Sequence, residues 1–221
     1  MAHDLGGKVW ERPSPYLLGM TLKILNRLMG VALAAALAYG AAAAGKVNEH
    51  SEQAQIAFDV PAGWVIANEQ TLFEQGFIVA PEPLYVLVAS PTTTPSSVAL
   101  NPSAVPWLLV TVETDDQMLP PSQLYELAPQ YLEHLASESG NPATSVKMLA
   151  PHHLVRQGGL SGSTAALTVV SPGGSTSLDE VAYGRGNQLW MVIAGCSPAC
   201  YEGSRTTISD IVSSVKVGTA A

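Results

Sequence analysis

Only two of the 221 residues are cysteine, only ten are lysine or arginine, and charged residues of both signs amount to 13%. So few cations, with no cluster among them, leave no basic stripe that could track a phosphate backbone, which argues against nucleic acid as a partner. The one near-sequon, Asn101-Pro102-Ser103, has proline at its forbidden middle position, so N-glycosylation is not expected. No internal repeat is visible. What is abundant is apolar surface: at 47% hydrophobic residues the chain can bury a core, and its length suits one domain.

The charge is uneven. Residues 1–45 hold Lys8, Arg12, Lys23 and Arg27 against Asp4 and Glu11, leaving 6 of the 10 basic and 16 of the 18 acidic residues in the remainder, a balance of −10 there. The first part has the layout of a secretory signal peptide: basic Lys23 and Arg27, an apolar run from Leu28 to Tyr39, then small residues ending in AAAAG. Cleavage is expected between Ala44 and Gly45. The mixed-charge residues before Met20 are long for such a leader, which makes Met20 an alternative start. As an uncleaved anchor, the 16 residues from Met29 to Ala44 would be short for a hydrocarbon core of about 30 Å. A secreted or periplasmic protein is therefore expected, membrane-tethered only if the segment is kept. No cysteine follows the apolar run, so a lipid anchor is not expected.

Past the leader, residues 46–54 read as a polar lead, 55–217 as one domain and 218–221 as a tail. Short apolar runs at IAFDVPAGWVIA, GFIVAPEP, LYVLVAS and WLLVTVE read as strands. Between the last two, Pro91 to Val105 reads as a long surface loop rich in Ser, Thr and Pro. Leu124, Leu127, Ala128, Tyr131, Leu132 and Leu135 recur at helical spacing, with Pro129 expected to split the helix near Ala128 and Gly140 to stop it. Four strands follow, VKMLAPHHLVRQ, LSGSTAALTVVS, DEVAYGR and LWMVIAG, whose close turns imply an antiparallel meander. A last helix is expected behind a cap at Ser204 or Thr206, with Ile208, Ile211, Val212 and Val215 as its apolar stripe. The class is α+β, an antiparallel sheet flanked by helices.

This order resembles the PsbP-like fold family. The likeness rests on FDVPAGW at 58–64, on WLLVTVE, on the helix SQLYELAPQYLEHL and on the closing GNQLWMVIAG and TISDIVSSVKV, together spanning 55–217. It implies a PsbP-like sandwich serving binding and assembly roles. The family has no shared active site, so the resemblance carries over no catalytic residue.

Cys196 and Cys200 have three readings. In an exported chain two thiols default to a disulfide; a redox pair is usually spaced C-x-x-C, one residue tighter than here; zinc needs four ligands, and no further Cys or His stands at useful spacing. His152 and His153, if on a strand, point to opposite faces and cannot share a metal, one being exposed and the other packed. His134 beside Glu133 reads as a solvated helix face. Glu113, Asp115 and Asp116 gather at a strand end where calcium could bind, without the D-x-D-x-D-G loop. Gly159-Leu160-Ser161-Gly162-Ser163 misses the G-x-S-x-G nucleophile pattern at its last position and precedes a strand where an elbow needs a helix. Trp64, Trp107 and Trp190 read as core, with ligand stacking open to one exposed ring.

No catalytic, cofactor or metal residue is assigned, and no cofactor is expected. The function expected is a non-catalytic binding or accessory module of the cell envelope, contacting a protein or small-molecule ligand. An envelope enzyme with a site around His152 and His153 is the alternative.

Overall fold

The structure, a computed structural model, describes residues 45–74, 83–114, 119–138 and 145–218. The leader with Met20 and Ala44, the strand expected at GFIVA, Asp115, Asp116, the helix stop at Gly140 and the tail beyond 218 lie outside the described residues.

The chain opens with β1 (Lys46–Ser51), β2 (Ile56–Pro61), β3 (Val65–Asn68), α1 (Glu69–Glu74) and β4 (Tyr85–Ser90). The short helix α2 (Pro95–Val98) precedes β5 (Trp107–Thr114), after which a 3-10 helix, η1 (Pro121–Glu126), runs into α3 (Leu127–Glu138). Then come β6 (Ser145–Gln157), β7 (Leu160–Ser171), β8 (Gly174–Arg185), β9 (Gln188–Cys196), α4 (Pro198–Ser214) and β10 (Lys216–Val217). A three-stranded sheet has the order β1-β2-β10 and a seven-stranded sheet the order β3-β4-β5-β9-β8-β7-β6. Every pairing is antiparallel. The meander forms because the turns are tight: Gly158 and Gly159 adopt φ of +56° and +78°, the left-handed values that a two-residue hairpin turn favouring glycine requires.

Both faces of the large sheet are buried at its centre. On one face Leu108, Val110, Val181, Trp190 and Val192 pack against Phe58 of β2 and against Tyr201, Ile208 and Ile211 of α4. On the other, Trp107, Leu109, Leu167, Leu178 and Ile193 pack against Leu124, Leu127, Ala128 and Leu132 of η1 and α3. Two-sided burial explains why WLLV and WMVIAG read as unbroken apolar runs rather than alternating ones.

Three expectations change and one holds. Lys46 to Ser51, read as a polar lead, is strand β1: it lies at an edge, where backbone pairing needs no apolar pattern. Pro91 to Val105 is no loose loop. Ala99 and Leu100 are buried, the Asn101 carbonyl accepts from the Trp107 indole at 3.1 Å, and the Ser103 carbonyl accepts from the Ser197 amide at 2.7 Å. The helix breaks near Ala128, as expected from Pro129. The switch from 3-10 to α lies at Glu126/Leu127, so Pro129 falls in the first α turn, where a missing N–H costs nothing. The last helix starts at Pro198, ahead of Ser204 and Thr206, because proline suits a first helical position.

Trp190 ties the two sheets together. Fully buried, it donates its indole N–H to the Ala54 carbonyl at 2.7 Å, while Gln55 beside it accepts from Arg185 at 3.1 Å. Trp190→Phe keeps much of the apolar volume but strands that carbonyl, so it should lower unfolding stability by about 1–3 kcal/mol. A urea titration reads the loss as a lower midpoint; an unchanged midpoint would show that the indole is not a tie.

Candidate functional site

The outer edge of the large sheet is where the chain departs most from ordinary burial. β6 is 13 residues long, pairs only with β7 among the described residues, and is exposed along most of its length. Large apolar side chains there stand in solvent: Val146, Met148, Leu149 and Leu154 are 37% to 66% exposed, and Val170 of β7, opposite Ser145, is exposed too. These five are most of the eight exposed large apolar side chains among the described residues. Scattered exposure is ordinary; five such side chains along one edge are not.

Register defines the faces. Val146, Met148 and Leu154 stand opposite Val169, Leu167 and Ser163, on the side covered by η1 and α3 further in. Irregularities between Met148 and Ala150 and between Ala150 and His153 bend the strand at its middle. There His152 stacks on Tyr125 of η1, ring centroids 4.0 Å apart and planes within 9°. His153 stands opposite Thr164, in line with the other face. Both histidines are exposed, and neither is packed into the core.

Inward of this edge lies a buried polar group. Glu180 of β8 is fully buried, opposite Ala165, and one carboxylate oxygen accepts from the Ala128 amide at 3.3 Å, capping the start of α3. Its Oε2 and the hydroxyl of buried Ser163 have no hydrogen-bond partner among the described residues. Burial pushes the Glu180 carboxyl up to about 8, against the Ala128 amide, which lowers it. The neighbouring Asp179 faces α4, where it accepts a short hydrogen bond from Tyr201; burial raises it, and Tyr201 and Arg205 lower it. Neither carboxylate stood out in the sequence. The signal was the adjacent pair in a strand covered on both faces, since alternation must then bury one on each side.

Of the remaining residues, Cys196 and Cys200 form a disulfide with Cα atoms 5.9 Å apart, joining the end of β9 to the first turn of α4. Trp107 and Trp190 are core, and Trp64 is half-buried against it. Glu133 is exposed and His134 lies on α3. Glu113, next to the last residue of β5, is half-buried, and no cluster of three or more metal-ligating side chains occurs among the described residues. Gly162 takes part in close packing, since a Cβ there would lie 2.2 Å from the Ala182 carbonyl. No described helix is long and apolar enough to cross a membrane.

Glu180 makes stability depend on pH with a definite sign. Its folded value, about 8, lies above the ordinary 4.5, so between these the folded state holds the proton that the unfolded state has lost. Its contribution is fully present below about 4.5 and is lost as pH rises towards 8; Asp179, also raised, adds the same sign. The melting temperature should fall by several degrees across that window, and Glu180→Gln should flatten the slope. Melting curves at several pH values check this; equal slopes for both chains would contradict it.

No protein-family model matches the sequence, and no curated protein matches it. Among solved structures, cyanobacterial PsbP (CyanoP) from Synechocystis is similar at a TM-score of 0.53 and 11% identity, over 84% of this chain and 98% of that one. The Ran-binding protein Mog1p of Saccharomyces cerevisiae gives 0.46 and 13%, over 79% and 96%. LpqN of Mycobacterium tuberculosis, described as involved in cell envelope biogenesis, gives 0.43 and 11%, over 78% and 90%. The first likeness alone is close enough to argue from, and at that identity it speaks for architecture only. Its near-complete coverage, with an antiparallel sheet between helical layers, shows that this chain has the PsbP-like fold.

Proposed function

We propose that this protein is an exported, non-catalytic binding module that docks a protein partner of the cell envelope along β6. The observation that carries the reading is the 13-residue outer strand bearing four exposed large apolar side chains. An edge of that length and composition is an aggregation hazard when bare, which a bound partner removes. Export is supported by the leader-like residues 20–46 and by the disulfide, a bond that persists outside reducing compartments.

A photo-crosslinking residue at Leu154, in the full chain expressed in its own host, tests this against the same residue at exposed Glu202 on α4. A discrete adduct from position 154 and none from 202 is expected. In the same sample, alkylation without reductant should leave Cys196 and Cys200 unlabelled. Absence of an adduct at 154, or equal adducts at both, would overturn the docking surface; two alkyl groups would overturn export.

A further inference from the structure

We infer that the partner presents an extended acidic segment, which β6 takes up as an added strand. This rests on β6 being the binding surface and concerns the chemistry of what binds there.

The first observation is charge. Residues 46–221 carry 16 carboxylates, yet none falls between Ser139 and Leu178, the stretch that contains all of β6 and β7. Within it lie Lys147 and Arg156, both exposed and both without an ion-pair or hydrogen-bond partner among the described residues. Three of the body's four other cations are committed: Lys46 faces Asp210 at 3.5 Å, Arg185 lies over the Trp190 ring at 5.8 Å, and Arg205 acts on Asp179, while the fourth, exposed Lys216, lies on β10 of the small sheet. The helix packed nearest contributes one carboxylate, Glu126, which acts on the Tyr125 hydroxyl. An acidic molecule therefore presents one carboxylate-free edge with two unpaired cations, and complementary charge selects and orients a partner there.

The second observation is shape. This edge is a strand whose outward backbone groups lack partners among the described residues, the template for strand addition. Side chains then specify which strand. Val146, Met148 and Leu154 share one face and call for apolar residues on that face of the newcomer. Lys147 and Arg156 stand opposite Thr168 and Ser161 of β7, seven positions apart, which puts them on opposite faces. A newcomer keeping the regular register of β7 meets both cations with carboxylates seven residues apart. A second copy of this chain fits poorly: antiparallel pairing of two β6 strands would set cations beside cations and bring together two bodies each at −10.

The test uses the protein purified from its host and three synthetic ten-residue strands of alternating Val and Thr, with Glu, Gln or Lys at positions one and eight. Binding is followed by amide chemical shifts and by titration calorimetry. The Glu strand should bind about tenfold more tightly than the Lys strand, with Gln between, and should shift amides of residues 145–157. Lys147→Glu with Arg156→Glu should reverse the order while leaving the melting curve unchanged, since both side chains are exposed. Equal binding of all three at β6 would overturn acidic selectivity while leaving the surface standing. Shifts located elsewhere, or no binding by any strand, would overturn strand addition; a dimer by light scattering that Leu154→Asp dissolves would overturn the acidic partner in favour of a second copy. The adduct at position 154 is scored separately, so failure of the surface and failure of the acidic partner remain distinguishable.

Discussion

The structure depends on covering both faces of the middle of one seven-stranded sheet. β5, β9 and β8 are apolar on each side, and a strand of that kind is stable only between two layers. α4 and the small sheet close one side; η1 and α3 close the other. Cover of that extent protects the centre and not the margin. β6 is one of the two strands at the margin, and its solvent-facing Leu154 follows from the same arrangement that buries Trp190.

Two-sided cover also fixes where polarity becomes costly. Asp179 and Glu180 are adjacent on β8, so alternation sends one under α4 and the other under α3. Each is compensated in part: Tyr201 donates to Asp179, and the Ala128 amide donates to Glu180. Glu180 thereby caps the helix that lacks an acidic residue of its own in its first turn. Its second oxygen, without a partner among the described residues, is consistent with a carboxyl held protonated up to about 8.

Much of this was legible from spacing. The meander followed from its Gly-rich turns, the core tryptophans from their apolar neighbours, and the disulfide from two cysteines four positions apart behind a leader-like segment. The rest was hidden for identifiable reasons. β1 has no apolar pattern because it pairs at an edge through its backbone. The Pro91–Val105 stretch is held by buried Pro95, Ser96, Ala99 and Leu100 and by carbonyls of Asn101 and Ser103, which no side-chain pattern records. The candidate surface was hidden most of all, since Val146, Met148 and Leu154 look like the buried half of a strand. Only the sheet order, which puts β6 last, shows them exposed.

The central claim is that β6 is covered in the working protein. Hydrogen exchange read by mass spectrometry compares the protein held in its host assembly with the same chain after it is stripped of partners. The account predicts that amides of residues 145–157 exchange slowly in the assembly and quickly in the isolated chain, with the β5, β8 and β9 amides slow in both. Equal exchange of β6 in the two states, or new protection confined to α4 or the small sheet, would contradict it.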